Sequence, residues 1–427
     1  MAYLFSMGVL QMSVLGSALD KIRGIVIDKT TMEDARLDPK FFTRNRKMPF
    51  QSILMFLLRG VRTSTQSALN RFFRDDLDEG NVMSQQALSK ARSHFDHSPF
   101  EKMFRSIVEM RYCGEHEIAT LHGYQILAVD GSDIALPDMP AMLEAFGGTG
   151  RNADSPTAKA SVLYDVLNDF LMDVTLDKAG TSERALAVGH MEILRTIAPS
   201  EKKLLIFDRG YPSAGLIEEL SERGLHFLMR VRTKWNCDVD AISKKGQVVL
   251  ANGYTVRVVK FKLSSGDEET LITDLFELPH EAFRELYFKR WPIETKYDVV
   301  KNKLALENFS GYTKNVVLQD FWVCMHLTNL VALAKIDADA EIQSTRTKKK
   351  NKYTYVANTN QVISSLREHM IRACFAKTEH ERMRSLDLIE QEIRRSVVPI
   401  RPGRSVKRPT TPRKAKFHHN RKTVAGA

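Results

Sequence analysis

The chain has 427 residues, of which 43% are hydrophobic and 27% are charged, a balance typical of a folded globular protein and not of a disordered one. Four scattered cysteines form no Cys-x-x-Cys pair and lack histidine partners at zinc spacing, which argues against a structural zinc and for a reducing cytoplasm. No apolar run is long enough to cross a bilayer, so we expect no membrane partner.

The net charge of +11 is concentrated at the C-terminus. Nine basic residues and no acidic residue fall between 401 and 427: Arg401, Arg404, Lys407, Arg408, Arg413, Lys414, Lys416, Arg421 and Lys422. We expect this segment to be a basic, disordered tail that contacts phosphates without sequence preference. A merely solubilising end is the alternative interpretation.

The N-terminal part of the chain is predicted to be helical. The first residues, MAYLFSMGVLQM, lack the positively charged leader of a secretory signal, so we expect them to belong to the mature protein. Apolar residues recur at helical spacing in PFQSILMFLLRGV, and SQQALSKARSHF has a polar face. These patterns predict a helical domain over residues 1–112.

Strands dominate the next predicted region, residues 113–231. The runs QILAVD, AKASVLYDVL and FLMDVTL predict three successive strands, with a tight turn at Asn168-Asp169. A helix over 183–196, the strand KLLIFD, a helix over 214–223 and the strand HFLMRV follow. The order β-β-β-α-β-α-β predicts a layered α/β core.

Residues 232–276 interrupt that core with a β-rich insertion. Hairpin turns are predicted at Lys245-Gly246, Asn252-Gly253 and Ser265-Gly266. The core is expected to resume with helices over 277–340. A helical C-terminal region, 341–400, and the basic tail, 401–427, complete the predicted domains.

Two aspartates follow apolar strand patterns, Asp130 in LAVDGSD and Asp208 in LIFDRGY. A glycine lies within two residues of each, so the chain can turn there and leave the carboxylate at the end of the strand. Functional sites of layered α/β folds are built at such ends. Each aspartate alone could equally be a turn residue or a helix cap.

A third acidic residue lies in YFKRWPIETKYDVVK, residues 287–301. On one continuous helix, Tyr287, Arg290, Glu294 and Lys301 would share an arc of about 60°. A salt-bridged helix surface is the simpler interpretation. Pro292 is well tolerated in a first turn, which leaves open a helix that begins or kinks there, with the arc restricted to Glu294 and Lys301.

Three carboxylates that converge from two strands and a helix would repel one another unless they share a hard cation such as Mg²⁺. Two such ions activate water or a 3′-hydroxyl and stabilise the leaving oxygen of a phosphoryl displacement. Arg290 and Lys301 would then have DNA phosphates as natural partners.

These motifs together resemble the acid triad and the Tyr-Arg-Glu-Lys signature of the insertion-sequence-four family of DDE transposases. The resemblance extends in element order from about Ser84 to Arg408 and includes the β insertion between the second and third acids. It implies an α/β fold with an RNase H-like catalytic core and a β-strand insertion. A helical N-terminal DNA-binding domain would precede this core, and a helical, basic C-terminal region would follow it.

The resemblance also implies an activity and a set of site residues. Members of this family are expected to nick DNA, form and reopen a hairpin on the element end, and attack target DNA. Asp130, Asp208 and Glu294 would be catalytic and would bind two Mg²⁺ ions, for which Mn²⁺ can substitute. The DNA-binding residues would be Tyr287, Arg290, Lys301, Trp235 and Arg209, with Trp235 or Trp291 as the platform for a flipped base.

The implied partners are double-stranded DNA, as terminal inverted repeats and as target, and a second copy of the chain in a homodimeric synaptic complex. The implied location is the bacterial cytoplasm, at the nucleoid. Two alternatives remain open at this stage: a catalytically silent DNA-binding repressor derived from a transposase, and a nuclease of the same fold.

Overall fold

A computed structural model describes residues 13–44, 48–60, 64–77, 82–114, 116–150, 153–197, 202–263, 266–346 and 352–401. Apart from Arg401, the predicted basic tail lies outside these residues, as does the N-terminal segment MAYLFSMGVLQM. The chain divides into two compact units, one formed by residues 1–107 and 303–427 and the other by residues 108–302.

The described helices are, in chain order, α1 Val14–Ile27, α2 Lys29–Ala35, α3 Phe50–Leu58, α4 Thr65–Asp75, α5 Gln85–Arg92, α6 Ser98–Cys113, α7 Pro140–Phe146, α8 Glu183–Ile193, α9 Ala214–Glu222, α10 Cys237–Ala241, α11 Ala282–Phe288, α12 Pro292–Asp298, a π-helical turn Val299–Lys303, α13 Lys314–Arg346, α14 Thr359–Phe375 and α15 Glu379–Arg395. The described strands are β1 Tyr124–Ala135, β2 Gly148–Thr149, β3 Ser155–Asp165, β4 Phe170–Lys178, β5 Lys202–Phe207, β6 His226–Val231, β7 Lys245–Val249, β8 Thr255–Lys262, β9 Glu268–Thr273, β10 Thr354–Ala357 and β11 Val397–Ile400.

A mixed sheet forms the centre of the unit of residues 108–302. Its described strands are ordered β2-β3-β1-β5-β6-β9-β8-β7, and β4 pairs with β3. The strands β1, β5 and β6 are parallel to one another, whereas the pairs on either side of them are antiparallel. β5 is buried along almost its whole length, as expected for a parallel strand in the middle of a sheet with both faces covered.

The sequence predicted the order of the first core strands and helices, and the structure adds α7 and β2 between the first and second of them. The turn at Asn168-Asp169 is present between β3 and β4, with Asp169 at a φ of 53°. Asparagine and aspartate tolerate this left-handed conformation better than most residues. The mixed α/β architecture of the prediction is therefore observed.

The β-rich insertion is not a separate sheet. Strand β9 pairs with β6, so that β7, β8 and β9 extend the central sheet. The turn predicted at Lys245-Gly246 is wrong because both residues lie within β7. Asn252-Gly253 does form a turn between β7 and β8, with Gly253 at a φ of 85°. The open edge of β6 explains the extension, since an unpaired strand edge favours the addition of another strand.

The other unit, residues 1–107 and 303–427, is mostly helical and is organised around α13. This helix contacts α1, α3, α14 and α15. Residues 303–340, which were predicted to belong to the catalytic core, group with this unit, and the predicted domain limits stay a prediction. The predicted N-terminal domain and C-terminal region also lie together in it. The reason is that α13 is apolar on nearly all sides and needs helices around it.

Among the described residues, one helix is long and apolar enough to cross a membrane, and it is α13. Its segment Lys314–Thr345 has a mean hydropathy of 1.4, but 89% of the apolar window is buried inside the protein. A helix that is hydrophobic all round can be the core of a protein as well as a membrane span. The burial of α13 identifies it as a core helix.

Candidate active site

Asp130 lies inside β1 and not at its end. Beyond Ala128, β1 loses its parallel partner β5, but it continues to Ala135 because β3 remains paired with it, with Asp130 opposite Val162. The prediction of a strand end at Asp130 is therefore wrong for β1 as a whole. The prediction is correct for the pairing of β1 with β5, which ends at Ala128. Asp130 therefore lies where β1 no longer pairs with β5.

Asp208 follows directly after Phe207, the last residue of β5. Its Oδ1 accepts a 2.6 Å hydrogen bond from the backbone N–H of Arg209. Because β1 and β5 are parallel neighbours and their pairing ends at Ala128 and Ile206, the two aspartates lie two residues beyond the same edge of that pairing. The sheet topology thus brings Asp130 and Asp208 to one end of the parallel strands, as the rule for layered α/β folds requires.

The predicted continuous helix through residues 287–301 is broken twice. α11 ends at Phe288 and α12 begins at Pro292, which occupies the first helical turn, where its missing N–H is not needed. Residues Val299–Lys303 then form a π-helical turn. The 60° arc is therefore wrong, both for the four residues and for Glu294 with Lys301.

Tertiary contacts nevertheless bring part of this signature to the aspartates. Arg290 Nη2 donates a 2.9 Å hydrogen bond to Glu294 Oε1, and Arg290 Nη1 lies 4.0 Å from Asp130 Oδ2. The Arg290 residue is 8% exposed. A nearly buried guanidinium thus connects the first and third predicted acids.

The electrostatic environment favours the protonated form of Asp130. Burial raises its pKa to about 6, Arg290 and the Gly131 N–H oppose this effect, and the charges of Glu183 and Asp208 add to it. Burial tends to lower the pKa of Arg290, but the hydrogen bond to Glu294 and the nearby acids raise it overall. Asp130 is therefore a carboxyl group that an added cation would help to ionise.

Tyr287 lies beside the same charges. Its side chain is buried, and its hydroxyl lies close to the guanidinium of Arg290. Burial raises its pKa to about 12, and Arg290 partly opposes this effect. Tyr287 is thus a neutral hydroxyl beside Arg290.

The remaining predicted DNA contacts lie around these acids. Lys301 Nζ donates to the backbone oxygen of Asp133, further along β1. Trp235 Nε1 donates a 3.3 Å hydrogen bond to the backbone oxygen of Pro212, four residues after Asp208. Arg209 is exposed. Trp291, the other aromatic candidate, is 53% exposed.

The oxygen donors of Asp130, Asp208 and Glu294 suit a hard divalent cation. In the part of the chain that the structure describes, however, no three His, Cys, Asp or Glu side chains are close enough together to hold a metal ion. Arg290 provides the positive charge beside two of the three acids. The donor set therefore fits a metal ion chemically. A bound ion would compete with Arg290 for Asp130 and Glu294.

Comparisons with known proteins relate part of the chain to a family. Residues 121–330 match the family described as the transposase DDE domain. This half of the chain is therefore similar to a transposase DDE domain. The matched range contains Asp130, Asp208 and Glu294, together with all the predicted DNA-contacting residues.

The chain is also similar to proteins of Escherichia coli K12 that are named as transposases. The chain is 23% identical to InsZ over 192 residues, which are 44% of the chain and 62% of that relative. It is 23% identical to InsG, the transposase for insertion sequence element IS4, over 320 residues, with 67% of the chain and 70% of the relative covered. The chain therefore spans less than two thirds of the length of InsZ.

The fold resembles that of a solved piggyBac transposase, determined by cryo-electron microscopy in a synaptic complex with hairpin DNA. The TM-score is 0.50 at 11% sequence identity, and the likeness covers 92% of this chain and 87% of the other. At this identity the likeness concerns the fold alone.

Three residues of the matched range that the sequence did not single out help to build the candidate site. Tyr297 donates a 2.9 Å hydrogen bond to the backbone oxygen of Asp130 and so fixes α12 to β1. Glu183 and Arg184, at the start of α8, lie beside Gly131 and the Asp208 loop. The only sequence signal for this pair was its position at the start of a helix that follows a strand.

Tyr211 lies three residues after Asp208, close in sequence to the predicted DNA contact Arg209. The structure places it in the interior, 1% exposed, with its ring 5.3 Å from that of Phe207. An aromatic ring that is packed in this way supports the loop from inside. A direct contact between Tyr211 and DNA is therefore excluded in this conformation.

Proposed function

We propose that the chain is a DNA transposase that catalyses Mg²⁺-dependent cut-and-paste transposition of an insertion sequence. One observation carries this proposal. Asp130 and Asp208 lie at the same end of two parallel strands, and Arg290 connects Asp130 to Glu294, all within a transposase DDE domain. The proposed sequence of steps is nicking, hairpin formation on the element end, reopening and strand transfer.

The residues that would hold the metal are Asp130, Asp208 and Glu294. Bound Mg²⁺ lowers the pKa of a coordinated water or hydroxyl and stabilises the charge of a leaving oxygen. Asp130 and Asp208 come from the rigid sheet, whereas Glu294 comes from α12, which Tyr297 attaches to β1. Support from these elements would keep the three carboxylates in place around a shared cation.

The DNA contacts would come from Tyr287, Arg290, Lys301, Arg209 and Trp235. Arg290 is nearly buried, so a phosphate that it binds must enter beside Asp130 and Glu294, where the reacting phosphate would lie. Tyr287 could donate its hydroxyl there. Trp235, attached to the loop after Asp208, would stack on a flipped base.

The proposed partners are the terminal inverted repeats of the element, target DNA and a second copy of the chain, because joining two ends requires two active sites to be brought together. The name of the solved relative refers to a synaptic complex with hairpin DNA, which supports the same arrangement here. The expected location is the bacterial cytoplasm, at the nucleoid.

The test is a cleavage assay with purified protein, Mg²⁺ and a plasmid that carries the inverted repeats flanking the gene. Excised ends with hairpins, followed by joining to target DNA, are expected. Glu294→Ala and Asp208→Asn should lose cleavage but bind the ends. Asp238→Asn, at an exposed acid in α10, is the matched control and should cleave normally.

Other outcomes of this assay would contradict the proposal. Cleavage by the wild-type protein without hairpins or joining would indicate a nuclease of the same fold. End binding without any cleavage would indicate a repressor. Activity that survives in Glu294→Ala would show that the carboxylates have been assigned wrongly.

A further inference from the structure

The first residue of α8 approaches the strand that bears Asp130 unusually closely. A Cβ atom at Gly131 would lie 2.9 Å from the carboxyl carbon and from Oε1 of Glu183, closer than real Cβ atoms come to other atoms. Gly131 is the neighbour of Asp130 in β1. Glycine at this position therefore allows a fourth carboxylate to reach the site.

The position of Glu183 is fixed by contacts on both sides. Lys159 Nζ lies 3.3 Å from Glu183 Oε1 and 2.5 Å from Asp133 Oδ1, so it links the helix to β1. The adjacent Arg184 donates 3.0 Å hydrogen bonds to the backbone oxygens of Gly210 and Tyr211. The first turn of α8 thus contacts both the Asp130 strand and the Asp208 loop.

Two turns further along, α8 is attached to the sheet. His190 is fully buried, with Nδ1 2.7 Å from Asp173 Oδ2 and Nε2 2.9 Å from Ser161 Oγ. Residues seven apart on a helix lie on nearly the same face. The contacts of His190 therefore hold α8 against the sheet, with Glu183 on nearly the same face of the helix.

An independent observation indicates that a ligand belongs among these acids. The hydroxyl oxygen of Tyr211 is buried and has no hydrogen-bond partner among the described residues. The negative charges of Glu183, Asp130 and Asp208 act on this hydroxyl and raise its pKa. A buried hydroxyl normally has a partner. The water shell of a cation bound by these acids would supply one.

We propose that Glu183 is a fourth acidic residue of the active site, which positions the hydrated divalent cation bound by Asp130. The inference rests on the proposed function, because it concerns the same cation. Carboxylates that accept hydrogen bonds from metal-bound water orient the ion and add negative charge near it, and loss of such a partner weakens metal binding about 10-fold or more. Lys159 orients Glu183 without neutralising Asp130.

The decisive measurement is the binding of Mn²⁺ to the full-length protein without DNA. The electron paramagnetic resonance signal of free Mn²⁺ is used to measure this binding. Glu183→Gln, which keeps the shape but removes the charge, should raise the dissociation constant about 10-fold. Asp130→Asn should raise it further. Glu192→Gln, on the same helix and paired with Arg223 at the surface, is the matched control and should bind as the wild type does.

A purely structural role makes a different prediction. If Glu183 served only to pair with Lys159, Glu183→Gln and Lys159→Met would lower the melting temperature alike and leave Mn²⁺ affinity unchanged. Our inference expects weaker binding only in Glu183→Gln, since Lys159→Met removes a competing cation. If Glu183→Gln does not fold, Glu183→Asp must bind Mn²⁺ more weakly than the wild type, because its carboxylate does not reach as far.

The failure of this inference can be distinguished from the failure of the proposed function. Wild-type binding that is lost in Asp130→Asn but unchanged in Glu183→Gln overturns the role of Glu183 and leaves the transposase proposal intact. Absence of Mn²⁺ binding by the wild-type protein overturns the cation site itself. In the cleavage assay, we expect Glu183→Gln to require more Mg²⁺ for half-maximal rate and to recover at high Mg²⁺.

Discussion

Arg290 donates a 2.9 Å hydrogen bond to the carboxylate of Glu294 from a position nearly out of contact with solvent. The same guanidinium lies 4.0 Å from Asp130. Two acids that are proposed to share a metal ion therefore share an arginine in the metal-free protein. A metal ion can take the place of the Arg290 guanidinium beside these two acids. The stability of the protein should then depend on that ion.

Replacement of Arg290 by methionine should make the stability of the protein depend on Mg²⁺. Without metal, Glu294 and Asp130 lose their common cation, and we expect the free energy of unfolding to fall by about 1–2 kcal/mol. Added Mg²⁺ should reduce this difference. Thermal unfolding with EDTA and with Mg²⁺ measures it. The control is Arg223→Met, which removes the ion pairs of Arg223 with Glu192 and Glu219. Mg²⁺ should not change the stability difference between this variant and the wild type. An Mg²⁺-independent loss in Arg290→Met would contradict the interpretation.

Asp130 should destabilise the metal-free protein at neutral pH. Its pKa is about 6 in the folded state against an ordinary value of 3.8, so the folded protein binds the proton more tightly than the unfolded chain. The stabilisation that protonated Asp130 contributes is therefore lost as the pH rises from about 4 to 6, and it is not regained at higher pH. We expect Asp130→Asn to be more stable than the wild type by up to about 3 kcal/mol at pH 8 in EDTA, with the difference vanishing below pH 4. Urea unfolding across this pH range tests the sign; a less stable variant at pH 8 would contradict it.

His326 should have the opposite pH dependence. This histidine lies fully buried in α13, and burial lowers its pKa to about 3 from an ordinary 6.5. The unfolded chain then binds more protons below pH 6.5, so stability is lost as pH falls from there toward 3. His326→Leu should remove this loss, with an advantage over the wild type that grows by about 3 kcal/mol between pH 7 and pH 4. His116→Leu, outside this helix, is a control; an unchanged pH profile in His326→Leu would count against the argument.

Trp235 should be the aromatic platform for a flipped base at the element end. Its indole is attached to the loop after Asp208, whereas Trp291 lies at the start of α12. With 2-aminopurine at the terminal bases, Trp235→Ala should lose the fluorescence change on binding and weaken end binding about 10-fold, as loss of one stacked base predicts. Trp291→Ala should retain both. The reverse result would assign the platform to Trp291.

The basic tail should contribute mainly to the salt dependence of DNA binding. Removal of residues 402–427 deletes eight of the nine positive charges of the segment 401–427. Each phosphate contact adds about 0.9 to the slope of log affinity against log salt, so the truncated protein should have a shallower slope by several units. Fluorescence anisotropy with duplex DNA at several salt concentrations measures this slope. An identical slope would show that the tail does not contact phosphates.

Local patterns in the sequence were sufficient to predict most strands of the central sheet. The apolar run before Asp208 and the turn at Asn168-Asp169 are present where their residue types predicted them. The regular helix through Glu294 is not present. Helical periodicity alone assumes one continuous helix and does not detect the new start at Pro292 or the π-helical turn. The packing of α13 was not predicted either, since it contacts helices far away in the chain.

The sequence by itself determined which residue types stand at the site: Asp130, Asp208 and Glu294 as oxygen donors, with Arg290 at fixed spacing from Glu294. Only the tertiary structure decided which groups meet. It placed Arg290 beside Asp130, α8 with Glu183 against Gly131, and Tyr297 on the backbone of Asp130. The physical reason is that strand and helix patterns depend on neighbours along the chain, whereas charge pairing and close approach depend on sheet order and packing between residues far apart in sequence.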